Sequence, residues 1–482
     1  MRLGIDFGTT RTIVAVADRG NYPVVSFENN DGDSQEWVPS LIAIRGNERR
    51  YGFDAAAVTQ DPEWTFYRSF KRFLSSASPN GTICGIPVFL LLREFFTSLR
   101  STLEDRSNIH IDEPLEGVIG VPANSNSNQR FLTMEGFRSG GFTVVGLLDE
   151  PAAAGIEYAQ HAYRNKDMTG KRDNLLVYDL GGGTFDCSVI RLSDAGHSVL
   201  WSSGISKLGG DDFDSILFEM AEAAGLADPD RVLEMCRIAK ERLNPNTRKI
   251  LLTLGNREIA ISADEFYKRS QSLIDRTMEV VESTVARIGG DETISCVYVC
   301  GGASEFPPVA RTLRTRFGRR VRKSAYAHAA AAIGLAIAAD SRSDLRLERG
   351  FTRNFGVWRE AEGGRAAYFD TLFVKGSSLP ARQVRRYHPV HNIGYFRYLE
   401  CDEIDATLRP TGEIAPWDEI LFAFDPQFKH TANPGSVQPM NPANSPVVEE
   451  VYHCDENGII QVTVRNVNED YECHYSLRRS GN

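Results

Sequence analysis

The chain has 482 residues, 42% of them hydrophobic and 24% charged, with a formal net charge of −10. Such a length exceeds one ordinary core and points to two or three domains. The composition excludes a disordered chain, and the acidic balance argues against a general nucleic-acid or acidic-membrane binder.

The start, MRLGIDFGTT, enters a strand pattern directly, with no charged or apolar leader region ahead of it. An apolar strand delivers Asp6, a Gly8-Thr9-Thr10 turn follows, and a β-branched strand resumes. The plan returns at 175–190, LLVYDLGGGTFDCSVI, with Asp179, the glycines Gly181, Gly182 and Gly183, then Thr184 and Asp186. Two such hairpins, within a region that alternates strand-like and helix-like segments, predict a duplicated α/β fold. LGGDDFD (208–214) adds a third glycine turn at Gly209-Gly210. VYVCGGASEF (297–306) adds a fourth, with Gly301-Gly302 ending an apolar strand. Ligands of α/β sheets bind at such strand ends.

Glycine lets backbone N–H groups approach phosphate oxygens, and successive N–H groups form an anion-binding nest. Threonine adds a hydroxyl donor. Mg²⁺ takes oxygen ligands and keeps several waters, so two carboxylates can hold its shell while phosphates complete it. Asp6 and Asp179 are the candidate carboxylates; Thr9, Thr10 and Gly181–Thr184 are the candidate cradles. Asp211, Asp212 and Asp214 suit a helix N-terminus for dipole reasons alone.

The basic run RTLRTRFGRRVRK (311–323) reads as a solvated helix face leading into a strand. AHAAAAIGLAIAAD predicts a helix, and SRSDLRLERGF a charged connector with an arginine between its leucines, Leu345 and Leu347. Beyond it strand composition dominates, with a hairpin signal at Asn457-Gly458 and a long Pro/Asn/Ser loop over Gln427–Ser445. His388 and His391, in HPVH, sit in an extended loop with no cysteine pair at ligand spacing, so a metal is not expected there. Eight cysteines lie scattered without CxxC pairing, Cys296 and Cys300 in a core strand; this predicts small buried hydrophobes, no structural zinc and a reducing cytoplasm. No run of 18 apolar residues reads as membrane-spanning.

The motifs IDFGTT, VPA with NQR behind it, DEPAAAGIEYA, YDLGGGTFD, KLGGDDFD, AKERL and CGGASEFP occur in an order that resembles the heat shock protein 70 family of DnaK-type chaperones. The resemblance spans residues 1–340 and continues more weakly through LFVKGSSLPARQ and DENGIIQVTV. It implies an α/β actin-like (ribonuclease H-like, duplicated) ATPase domain at 1–340 and a linker at 341–350. A small all-β sandwich that binds peptide follows at 351–482, truncated and without a helical lid. ATP/ADP and Mg²⁺ are the implied cofactors. Asp6 and Asp179 match the acids of the Mg²⁺ shell, Gly8, Thr9, Thr10 and the later glycines match nucleotide contacts, and Thr184 matches the threonine beside the γ-phosphate. Lys71 matches the lysine that positions the attacking water, and Glu150 the acid near metal and water. The implied partners are unfolded or extended polypeptide and a co-chaperone or exchange factor, with no nucleic acid and no membrane.

The adenosine side departs from that pattern. Lys240 is retained, but Arg237 stands where the family has a ribose-binding glutamate. Glu241 and Glu305 replace residues that pack on the adenine, and His328 replaces an acid. An arginine plane stacks on a base whereas a carboxylate does not. The expectation is a slow ATPase coupled to polypeptide binding, with weakened or altered nucleotide affinity. The alternative is a nucleotide-dependent switch with little turnover and a partner-recognition β domain.

Overall fold

The structure, a computed structural model, describes all residues except 60, 165–172, 194–196, 227, 344–346, 362–365, 430–432, 442, 444, 470 and 477–482. Leu345 of the expected connector and parts of the expected long loop lie outside the described residues. The chain divides into two compact units. The first comprises Met1–Arg72, Arg93–Asn124 and Phe137–Leu347; the second comprises Phe73–Leu92, Ser125–Gly136 and Glu348–Asn482.

Two sheets organise the first unit. In one, the strand order is Thr143–Asp149, Glu116–Val121, Arg2–Phe7, Arg11–Val16, Val38–Pro39. Arg2–Phe7 pairs parallel with Glu116–Val121 and antiparallel with Arg11–Val16. In the other, the order is Val321–Lys323, Ile294–Cys300, Asp173–Leu180, Phe185–Leu192, His197–Ile205, Leu347–Glu348. Asp173–Leu180 is again parallel to one neighbour, Ile294–Cys300, and antiparallel to the other, Phe185–Leu192. The repeated hairpin motif is thus a repeated sheet topology. Leu175, Leu176, Val177 and Tyr178 are all buried, which is why this strand reads as an unbroken apolar run rather than an alternation.

The alanine-rich run forms the helix Ala330–Ala339, which packs with Glu150–Arg164 in one apolar cluster through Ala152, Ala153, Ala332 and Ala336. Small side chains are required because the backbones nearly touch. A Cβ on Gly334 would lie 1.8 Å from the Ala153 carbonyl oxygen, and one on Gly4 would lie 2.1 Å from the Ala336 nitrogen. The basic run becomes the helix Pro307–Phe317, a short 3-10 turn and the strand Val321–Lys323. Cys296 and Cys300 are buried in their strand, and all eight cysteines are free.

The second unit is built on two four-stranded antiparallel sheets. One runs Ala366–Phe373, Asn354–Ala361, Ile393–Ile404, Pro410–Ala423; the other runs Ala381–Tyr387, Val448–Cys454, Ile460–Asn466, Tyr471–Ser476. Both contribute to one core, with Phe355, Tyr398 and Trp417 from the first and Tyr452, Val462 and Val464 from the second. Asn457-Gly458 forms the expected turn, with Gly458 at φ +77° and Asp455 accepting from the nitrogens of Asn457 and Ile459. Two segments that the sequence reading placed in the first domain group here instead. Ser127 shows how: its nitrogen donates to Glu400 Oε2 at 3.0 Å and its hydroxyl bonds the same buried carboxylate.

Candidate functional site

The two Asp-bearing strands of the first unit end at one cavity of about 320 Å³. Each strand hands its acid to a turn, and the turns face each other closely. A Cβ on Gly182 would lie 2.7 Å from Thr10 Oγ1, and one on Gly183 would lie 2.5 Å from Thr9 Cγ2. The third glycine turn is tied to the second, with Gly210 N bonded to Gly181 O at 2.9 Å and Asp211 N to Gly182 O at 2.8 Å. Asp212 accepts from Gly209 N at 2.8 Å, closing the start of the helix Gly210–Ala223. The fourth turn abuts the second acid: Gly301, at φ +82°, would push a Cβ to 2.4 Å from Asp179 Oδ1.

Asp6, Gly8, Thr9, Thr10, Lys71 and Glu150 line the cavity from one set of elements. Asp179, Gly181, Gly182, Thr184, Gly210, Gly301 and Gly302 line it from the other. Arg237, Lys240, Glu241 and Glu305 complete the sequence-derived set. Gly183 and Gly209 stand just behind this lining, against Thr9 and the Gly182–Gly183 backbone. Residues spread over 300 positions of sequence are therefore brought together.

Lys71 is buried in a 3-10 turn, Phe70–Phe73. Its Nζ lies 2.7 Å from Glu150 Oε1 and 5.4 Å from the Phe7 ring centre. Glu150 opens the helix Glu150–Arg164 directly after the strand Thr143–Asp149, which fixes its position. Lys240 is likewise buried, 2.7 Å from Asp214 Oδ1 and donating to Gly210 O at 2.7 Å. Burial lifts the Asp214 carboxyl to about 6, against the lowering effect of Lys240.

The carboxyls are crowded beyond what Lys71 balances. Burial, then the charge of Glu150, raises Asp6 to about 7 in spite of Lys71. The same two causes lift Asp186 to about 8, and burial with Glu150, Asp186 and Asp6 holds Asp179 well above the usual carboxylate range. Asp6 Oδ1 is buried and has no hydrogen-bond partner. An all-oxygen set of acids with an orphaned oxygen and a surplus of negative charge suits a hard divalent cation such as Mg²⁺. Among the described residues, no group of three or more His, Cys, Asp or Glu is arranged to hold a metal directly. The fit is therefore to a cation that would keep much of its water shell.

The remaining lining mixes apolar residues, Leu243 and Phe306 among them, with charged residues that are ion-paired. Arg11 Nη2 donates to Glu241 Oε2 at 2.6 Å, and its guanidinium lies 4.5 Å over the Trp37 ring. Lys323 Nζ meets Glu305 Oε1 at 2.8 Å, and His328 Nε2 bonds Glu36 Oε2 at 2.9 Å. Arg237 Nη2 lies 3.5 Å from Glu234. Arg11, Trp37 and Asp186 were not among the residues singled out as a site. Asp186 carries a signal in sequence, since it ends the same glycine turn as Asp179. Arg11 and Trp37 carry none, because their partners are remote in sequence.

Comparison with known proteins places these motifs among relatives. The family described as "Hsp70 protein" matches residues 2–81 and 94–346. A chaperone protein HscA homolog of Methylibium petroleiphilum is 32% identical over 80% of this chain and 65% of its own length. Homologs of the same description from Polynucleobacter necessarius and Laribacter hongkongensis are 31% and 32% identical, over 70% and 66% of this chain. The matched part spans 58% and 55% of those two proteins, so the chain covers less than two thirds of the length of each of the three relatives.

Proposed function

The chain belongs to the Hsp70 protein family, and from that premise we propose that it is an ATP-dependent, chaperone-like protein. Its first unit is an actin-like ATPase that binds ATP with Mg²⁺ and hydrolyses it slowly to ADP and phosphate. Its β unit is a peptide-binding sandwich that holds extended or unfolded polypeptide through main-chain hydrogen bonds and an apolar pocket. A co-chaperone or exchange factor and a cytoplasmic location belong to the same proposal, supported by eight free cysteines. Among the described residues no helix is long and apolar enough to cross a membrane.

The observation that carries the reading is the convergence of the Lys71–Glu150 pair, Asp6, Asp179 and the glycine turns on one cavity. In this reading the N–H groups of the Gly181–Gly183 and Gly8–Thr10 turns grip phosphate oxygens, and Thr184 donates at the γ end. Asp6 and Asp179 hold the water shell of Mg²⁺, which when bound neutralises the phosphate charge. Glu150 keeps Lys71 in place, and Lys71 orients the attacking water. Such catalysis is positioning and charge stabilisation, with little covalent work for the protein.

Steady-state ATP turnover, with and without unfolded peptide, tests the proposal. Wild type is expected to turn over ATP faster with peptide, and Lys71→Ala to lose about 10²-fold or more. The ion-paired carboxylates at the base end favour the second reading, a nucleotide-dependent switch. Nucleotide binding with equally negligible turnover in wild type and Lys71→Ala would select that switch.

A further inference from the structure

Beyond the acids and glycine turns, the cavity is lined by Arg237, Glu241, Leu243, Glu305, Phe306 and His328. The rings among them, and the arginine beside Glu241, are already engaged. The Phe306 ring is buried against Phe213, Phe266 and Tyr267, with ring centres 4.8, 5.3 and 5.4 Å apart. The nearby guanidinium of Arg11 is committed to Trp37 and Glu241, and the His328 ring to Glu36. The exposed groups left for recognition include the pair of carboxylates. Arg11 meets only Oε2 of Glu241 and Lys323 meets Oε1 of Glu305, so each acid keeps a second oxygen. Their side chains stay 43% and 55% exposed, free to reorient towards a ligand edge.

A carboxylate only accepts hydrogen bonds. Guanine offers two adjacent donors, N1–H and the N2 amine, for which the remaining oxygens of these acids are acceptors. Adenine offers its N6 amine beside N1, an acceptor that a carboxylate repels. Neither acid can stack on a ring whose face is itself negative. We propose that Glu241 and Glu305 leave this cavity without selection for adenine, so that it takes guanosine triphosphate about as well as ATP, within threefold. The inference rests on the nucleotide-binding reading above.

Isothermal titration of the full chain with ATP and with GTP, each with Mg²⁺, tests it. The expected result is a Kd for GTP no more than threefold above that for ATP. The double variant Glu241→Arg, Glu305→Arg is expected to swing the ratio at least tenfold towards ATP. Glu305→Gln, which keeps shape and removes charge, is the milder variant and is expected to weaken GTP more than ATP. ATP binding more than threefold tighter than GTP in wild type overturns the inference while nucleotide binding stands. An unchanged ratio in folded variants also overturns it. Absence of binding by either nucleotide removes the underlying reading and the inference with it.

Discussion

Asp6, Asp179 and Asp186 share one cation, Lys71, with Glu150, and this imbalance has a sign. Their folded-state pKa values lie above the unfolded value of 3.8, at about 7 for Asp6 and about 8 for Asp186. The stability they lend is therefore fully present below 3.8 and is lost as pH rises through about 7 and then about 8. A bound Mg²⁺ offsets the repulsion that develops. The rise in melting temperature on adding Mg²⁺ with ATP is accordingly expected to be larger at pH 8 than at pH 5.5, as read by scanning fluorimetry; removing Mg²⁺ with EDTA should reverse it. Gly334 belongs to the same scale. Its Cβ would collide with a backbone oxygen, so Gly334→Ala is expected to cost about 3 kcal/mol by chemical denaturation. Asp6 and Asp179, which both line the cavity, could be singled out in the sequence because an acid beside bare backbone is a local pattern. The sequence did not show the burial of Lys71, since local periodicity makes that lysine a surface residue and only the fold supplies Glu150.

At the scale of elements, the third glycine turn seats on the second hairpin through two backbone hydrogen bonds. A Cβ on Gly209 would lie 2.6 Å from both Gly182 C and Gly183 N. Gly209→Ala is expected to abolish nucleotide binding at concentrations that saturate wild type, with the circular dichroism spectrum kept; unchanged affinity would show that the turn is not part of the cradle. In the β unit, a buried polar network joins the two sheets. Arg359 meets Glu450 at 2.6 Å and Asp370 at 2.7 Å, while Arg385 holds Asp370 at 2.9 Å and Tyr387 and Tyr452 donate to Glu450. Removing one member of such a set leaves a buried charge uncompensated, so Glu450→Gln is expected to cost about 3 kcal/mol. The fluorescence of Trp358 and Trp417 in this unit reports it. Strand composition made the sheets legible, but the pairing of Arg359 with Glu450 was not, because nothing local distinguishes a buried arginine from a solvated one.

At the scale of the whole chain, each unit has its own core, and the proposed ligand touches one of them. Mg²⁺ with ATP at a hundredfold excess over Kd is expected to stabilise the first unit by about 2.7 kcal/mol. Two probe sets, Trp37, Trp64 and Trp201 against Trp358 and Trp417, separate the transitions. The reading of the chain as an α/β region followed by a β region matches the sheets. Its boundaries do not match the compact units, because Phe73–Leu92 and Ser125–Gly136 group with the second. Such grouping depends on contacts like Ser127 with Glu400, 273 positions apart, which no composition shift marks.

The repeated sheet topology gives the cavity two nearly equivalent halves, each with one acid at a strand end and one glycine turn. A cradle of that symmetry would receive a phosphate chain equally well in either direction. Direction would be imposed by what the halves do not share. Lys71 and Glu150 come with the first half only, and Lys240 with its partner Asp214 with the second only. The duplication thus builds the grip, and the two lysines that it does not duplicate would tell the proposed ligand which end is which.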